Sequence, residues 1–370
     1  MDKKINIGVI GCGSRMIFIL KELLKINPEH KIIGICDPDS EAIENVKRIF
    51  GGDITVYDDY EELASGNIDW IFIGSINSYH KDHIMSAISN NKNIFCEKPL
   101  VIKFEECKEI ENAMTGKDIE LFVGHNLRYS PHYNEIKRIV DSGKIGEIIS
   151  LEFNETIPFF HGSHFMTSWR GYVRYTGGFL LEKCCHDLDL LSWIANTRPV
   201  KVASFGGRNF FIPKNSYLYE TMNNKEEFTF KGKPIPNPFT SSKDIIDNQV
   251  VILECDNGIR ATFHVNLSSG IPERRMYICG SEGTIRADVL TGKIEVSGIN
   301  DSHIKLIFNK DVCESHGGGD SFMIEELDRV MKGISSPTIS FHEAINSVIA
   351  CLAIDGAMKT NKIVHIDSYQ

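Results

Sequence analysis

Along the first third of the chain, apolar residues gather in short runs, and between the runs they recur at helical spacing. INIGVIG (5–11), KIIGICD (31–37), WIFIGS (70–75), NIFCEKP (93–99) and ELFVGHN (120–126) read as short buried strands. SRMIFILKELLKI, DSEAIENVKRIF, YHKDHIMSAISNN and FEECKEIENAMTG, which lie between them, read as amphipathic helices. Strand and helix in strict alternation predict a parallel sheet with right-handed crossovers, hence a doubly wound α/β domain over residues 1–125. After Asn126 the rhythm changes. SPHYNEIKRIVDSG reads as a helix stopped by Gly143, and strand-like runs then follow one another with turn signals such as DNG and SEG between them. That pattern predicts a second domain over 126–370 built on antiparallel strands. Residues 209–242, rich in Asn, Lys, Pro and Phe, lack periodicity and are expected to form an excursion loop, either a lid or a subunit contact.

Composition narrows the class. A chain of 370 residues is long for one core, and a net charge of -10 argues against a nucleic-acid partner. No run approaches the roughly 20 apolar residues of a membrane span. MDKKINIGVIG enters a strand with no apolar leader and cleavage site, so a cytoplasmic protein is expected. The 10 cysteines are scattered, mostly inside apolar runs, and none is paired as CxxC. This fits reduced thiols in a reducing compartment, with no metal framework.

Chemistry enters at GVIGCGSRM. Gly11 and Gly13, followed by Ser14, Arg15 and Met16, form a dinucleotide-binding turn between a strand and a helix, with Met16 in the third glycine position. The glycines permit the tight turn and close backbone approach to a pyrophosphate at the helix N-terminus, and Arg15 could reach a phosphate. Asp37 closes the second strand, where a carboxylate accepts from both ribose hydroxyls and repels a 2′-phosphate; NAD is favoured over NADP.

GVIGCGSR, SINSYH, FCEKPL, GHNLRYSPHY, SGKIGEI and GGFLLEKCCHDLDLLSW occur in this order along the chain. Together they resemble the Gfo/Idh/MocA oxidoreductase family, over essentially the whole length. The resemblance implies an N-terminal Rossmann domain and a C-terminal α+β domain with an open, mainly antiparallel sheet that often forms the subunit interface. A homodimer or homotetramer follows. It also implies a nicotinamide cofactor and a sugar, cyclitol or related substrate. Lys98 of the EKP motif would lie beside the nicotinamide and the substrate hydroxyl. Ser75, Asn77, His80 and Glu97 would border the cofactor, and Glu182 and His186 stand where the family's helix carries an Asp and, four residues on, a His.

The run LLEKCCHDLDLLSW (180–193) can be read as a helix at about 100° per residue, which sets His186 about 40° from Glu182 and Asp189 about 340° from it. Cys184, Leu188 and Leu191 fall opposite, as a core stripe. Cys184, Cys185 and His186 diverge, so one metal ion cannot take all three. Glu182 can orient the imidazole one turn away, and His186 can then exchange a proton with a hydroxyl. Glu in place of Asp adds a methylene, which leaves the division of labour between His186 and Lys98 open. Lys183 points away from that face and is expected to be a solvated or interface charge.

Weaker candidates for substrate contact are Asn126, Arg128 and Tyr129 just past the last strand, and His161, His164, Trp169 and Arg170 on an apparent loop, where Trp169 could stack on a sugar ring. His316 precedes a glycine run. The expected activity is NAD-dependent hydride transfer at a secondary hydroxyl of a carbohydrate-like small molecule. The alternatives are redox-assisted glycoside elimination or epimerisation with recycled NAD, and a non-catalytic ligand or redox sensor.

Overall fold

The computed structural model describes residues 4–51, 53–221, 229–230, 233–301, 303–309 and 315–366; side chains are described for these except at 229–230, 233–234, 307–309 and 315–316. The chain forms two compact units. The first holds the residues up to Tyr129 together with Gly319–Val348, and the second holds Ser130–Gly318 and the chain from Ile349 onward. Division by packing is therefore less simple than a single cut at residue 125, because a late segment returns to the first unit.

In the first unit, β1 (Asn6–Ile10), β2 (Lys31–Cys36), β3 (Thr55–Val56), β4 (Trp70–Ile73), β5 (Asn93–Cys96) and β6 (Leu121–Val123) form one sheet in the order β3-β2-β1-β4-β5-β6. All five pairings are parallel. Parallel strands need crossovers, supplied by α1 (Ser14–Ile26), α2 (Ser40–Phe50), α3 (Tyr60–Ser65), α4 (His80–Ser89) and α5 (Phe104–Met114). The strand order reverses between β1 and β4, the place where such sheets open a crevice at their carboxyl ends. Each strand expected from its apolar run is present. The returning helix α11 (Gly319–Met331) adds Met323, Ile324, Leu327, Val330 and Met331 to the same core as Ile17, Leu20 and Leu23 of α1. His30 Nε2 lies 2.8 Å from Asp328 Oδ1, which ties that helix to the start of β2.

The second unit is built on a sheet in the order β16-β15-β14-β13-β7-β12-β11-β8-β17. Its members are β7 (Ile148–Pro158), β8 (Pro199–Gly207), β11 (Asn248–Cys255), β12 (Arg260–Ser269), β13 (Arg275–Gly280), β14 (Gly283–Asp288), β15 (Lys293–Gly298), β16 (Lys305–Asn309) and β17 (Val364–His365). Only the β7–β12 pairing is parallel. Period-2 alternation along β11 and β12 buries Val251, Leu253, Phe263 and Val265 on one face. The other face of this sheet leaves Phe205 71% and Ile252 58% exposed. The helices α6 (Pro131–Asp141), α7 (Phe159–Thr167), α8 (Val173–Thr176), α9 (Phe179–Ile194) and α12 (Phe341–Thr360) complete the main elements, α12 beginning in the first unit.

Two expectations need correction. His161 and His164 lie on the helix α7, not on a loop. The 209–242 segment is not structureless where it is described. It holds α10 (Tyr217–Glu220) and the short pair β9 (Thr229–Phe230) and β10 (Lys233–Pro234). Asp247 accepts from the amides of Asn209, Phe210 and Phe211, and Phe159, Phe210, Phe211 and Phe239 pack together. The aromatic content that blurred the periodicity is what anchors the segment.

Candidate active site

β1 runs into the turn through Gly11, whose φ of 90° is the left-handed region open to glycine. A Cβ there would lie 2.4 Å from the Ser75 amide nitrogen, so the turn can pass β4 only without a side chain. Gly13 caps α1, and apart from its own and its chain neighbours' atoms nothing lies within 4 Å of where its Cβ would be. Gly13 and Ser14 are exposed, and the first turn of α1 carries no acidic residue. The Ser14, Arg15 and Met16 amides thus begin a helix whose N-terminal end is open and electropositive, as an anionic pyrophosphate requires.

Met16 occupies the third glycine position of the turn. Its side chain is buried at 1% exposure and its Cε would sit 2.8 Å from a Cβ on Gly74. The close approach usually given by a third glycine on the helix is here given by a glycine after β4. Met16 therefore offers a ligand its backbone only. Asp37 follows β2; its Oδ2 accepts from the Cys12 amide at 2.6 Å and its Oδ1 from the Asp39 amide at 2.8 Å. Burial, with the Asp37 charge adding to it, pushes the Cys12 thiol up to about 12, so it stays protonated.

The EKP segment is fixed from two sides. His80, buried, places Nδ1 2.8 Å from the Pro99 carbonyl and Nε2 3.2 Å from the Ser75 carbonyl. The Ser75 hydroxyl lies 2.9 Å from Nδ1 of His83, which burial holds down at about 4. His80 thus ties the turn after β4 to the Lys98–Pro99 turn, while Asn77 is buried beside it in the turn that precedes α4. Glu97 Oε1 accepts from Arg15 Nε at 2.9 Å, and Glu97 Oε2 lies 3.3 Å from the Lys98 amide. Lys98 itself is half-buried. Arg15 also holds both oxygens of Asp320, at 2.7 and 2.9 Å. Asp320 was not singled out from the sequence; its only signal was its place after the glycine run at 317–319.

The Asn126, Arg128 and Tyr129 side chains are tied inside the first unit. Asn126 donates to Asp320 at 2.7 Å, Arg128 to Glu343 at 2.7 Å and Tyr129 to Glu326 at 3.1 Å. These bonds brace the returning segment.

In the second unit, α9 starts at Gly178, where a Cβ would meet Asp355 Oδ2 at 2.5 Å. The helix is buried on its polar face as well as on the Cys184, Leu188 and Leu191 stripe. Glu182, His186, Asp187 and Asp189 are each at most 4% exposed. Polar groups this deep need partners. Glu182 accepts from Arg170 Nε at 2.8 Å, and the Arg170 guanidinium lies 4.4 Å from the centre of the Trp169 ring. Lys183, expected as a solvated or interface charge, lies 3.1 Å from buried Glu155 of β7. Glu155 also meets Arg274 at 2.8 Å, and Arg274 donates to both oxygens of Asp187 at 2.9 and 2.8 Å. Burial raises the Glu155 carboxyl, but Arg274 and Lys183 outweigh it and hold it below the usual range. His161 stands near this cluster, and burial followed by the Lys183 charge lowers it to about 3, leaving a neutral imidazole. His316 lies on the turn Ser315–Gly318, with its side chain outside the described residues. Among the described residues no three His, Cys, Asp or Glu side chains gather as a metal site, and no helix is long and apolar enough to cross a membrane.

Comparison with known proteins agrees with this layout. Residues 5–125 match an oxidoreductase family with an NAD-binding Rossmann fold, Gfo/Idh/MocA, and residues 133–286 match the Gfo/Idh/MocA C-terminal domain. The chain is 25% identical over 291 residues to scyllo-inositol 2-dehydrogenase (NAD(+)) of Bacillus subtilis, covering 77% of this chain and 74% of that protein. It is 26% identical over 259 residues to inositol 2-dehydrogenase of Burkholderia lata, covering 69% and 65%. In fold it is similar to levoglucosan dehydrogenase solved with NADH and levoglucosan, with a TM-score of 0.81, 17% identity, and 98% of this chain and 100% of that one covered.

Proposed function

The chain belongs to the Gfo/Idh/MocA oxidoreductase family and is an NAD(P)-dependent dehydrogenase, and from that premise we propose that it oxidises a secondary hydroxyl of a cyclitol, sugar or sugar derivative with NAD. The observation that carries the reading is the open glycine turn of the first unit, with Asp37 at the end of the adjacent strand. The Ser14, Arg15 and Met16 amides would hold the pyrophosphate, and the Asp37 carboxylate would take the adenosine ribose hydroxyls and disfavour a 2′-phosphate. When bound, the nicotinamide supplies the hydride acceptor. The protein's own groups position the alcohol and manage its proton. We assign His186, one helical turn from Glu182, the role of taking a hydroxyl proton, and Lys98 the role of a hydrogen-bond donor that stabilises developing negative charge on oxygen. The ion pair with Arg170 fixes the Glu182 carboxylate despite its extra methylene. The exposed apolar sheet face around Phe205 and Ile252 supports a symmetric subunit contact, to be read by sedimentation.

The test is NADH formation from a panel of inositols, free sugars and anhydrosugars by wild type and Lys98→Ala. We expect one panel member to be turned over, and Lys98→Ala to lower kcat by about 10²–10⁴-fold while NADH binding changes little. Undiminished turnover by the variant would remove Lys98 from the mechanism.

A further inference from the structure

We propose that the Arg15 side chain positions Lys98 and is not itself a phosphate ligand. This rests on the reading of Lys98 as the donor to the substrate hydroxyl. Arg15 stands one residue into α1, where a cation beside a nucleotide turn invites assignment to the pyrophosphate. Its donors are directed elsewhere. Two of the guanidinium nitrogens grip Asp320 and the third bonds Glu97. Asp320, buried at 6% exposure, is fixed in turn by the Asn126 amide. The guanidinium is therefore pinned by a group 305 residues away in sequence and presents a fixed N–H to Glu97.

Glu97 immediately precedes Lys98, and its two oxygens divide the work. Oε1 accepts from Arg15, while Oε2 lies toward the Lys98 amide. The arrangement orients the main chain from which Lys98 projects, and it also neutralises the carboxylate nearest in sequence to the Lys98 ammonium. Without Arg15, Glu97 would be a partly buried anion in need of a cation, and the nearest ammonium in sequence belongs to the next residue, Lys98. Lys98 would then be drawn from the substrate oxygen to Glu97. His80 restrains the same turn from its far side through the Pro99 carbonyl, so the segment is held at both ends.

The experiment compares Arg15→Met, Asp320→Asn and the double variant Arg15→Met/Glu97→Gln with wild type. Three quantities are read: NADH affinity by fluorescence, kcat at saturating cofactor, and the rate at which Lys98 of the cofactor-free protein is acetylated by acetic anhydride, followed by mass spectrometry. Arg15→Met should lower kcat about 10–100-fold and slow Lys98 acetylation at least threefold, with NADH affinity within about threefold of wild type. Asp320→Asn, which leaves Arg15 in place, should move kcat and acetylation the same way by a smaller factor. The double variant removes the orphaned anion and should recover kcat and acetylation over the single variant. A tenfold loss of NADH affinity with kcat intact would make Arg15 a phosphate ligand and overturn the proposal, as would unchanged acetylation in Arg15→Met or no recovery in the double variant. Should Arg15→Met fail to fold, Asp320→Asn carries the same decision. Because acetylation needs no turnover, it tests the positioning of Lys98 even if the hydroxyl chemistry assigned to it fails.

Discussion

Two arginines organise this molecule, and they do so under different conditions. Arg274 in the second unit is 7% exposed and meets Asp187 through two nitrogens and Glu155 through a third contact, with Lys183 completing a cluster of two cations and two anions. Arg15 in the first unit has a similar set of partners, Asp320 and Glu97, yet its side chain keeps 31% of its surface in solvent. In a closed cluster the desolvation of each charge is offset only by the others, so losing one strands the rest. At a rim, water can take over much of that role, and the interaction is worth more for orientation than for stability. The comparison separates a residue that holds the fold from one that aims a side chain.

The largest effect is expected at the closed cluster. Arg274→Met should destabilise the protein by about 3–5 kcal/mol, read as a fall in the denaturation midpoint, since it leaves Asp187 and Glu155 buried with only Lys183. A loss under about 1 kcal/mol would mean that the cluster is hydrated in solution, and the contrast with Arg15 would collapse. Asp355 sharpens the point from the other side. It is a carboxyl 6% exposed that is met by the Gln249 amide and not by a guanidinium, and burial raises it from 3.8 to about 6. A folded pKa above the unfolded one means that the native state holds the proton more tightly. The contribution to stability is thus complete below about 3.8 and is lost as pH rises through about 6. Asp355→Asn imitates the protonated form. It should be more stable than wild type by ~1–3 kcal/mol above pH 6 and indistinguishable from it near pH 4. A pH-independent difference in the melting midpoint would assign the effect to packing against Gly178. The smallest effect is expected at Arg15, where Arg15→Met should cost about 1 kcal/mol or less in stability whatever it does to turnover. A loss as large as that of Arg274→Met would put both arginines in one class.

Much of the first unit was legible because its signals are local. Strict alternation of apolar runs and amphipathic helices gave all the main strands, with Gly11 and Gly13 in the turn after β1 and Asp37 directly after β2. The packing of the Met16 side chain was not legible locally, because the glycine that makes room for it, Gly74, lies across the sheet. In the second unit, α7 was missed since HGSHFMTSWRG carries too little apolar periodicity to announce a helix. The partner of Lys183 was not legible because helical geometry gives direction without saying what stands there, and Glu155 is 28 residues upstream.

Sequence by itself determined the strand and helix pattern, the glycine turn and the residue types able to move a proton, since each depends on neighbours a few positions apart along the chain. Tertiary structure alone decided which charges are partnered. Asp320 reaches Arg15, Arg274 reaches Asp187 and Glu343 reaches Arg128 from well over fifty residues away, and burial then fixes what each pairing is worth. The physical reason is that main-chain preferences are set by local sterics, whereas the free energy of a charge is set by everything that replaces its water.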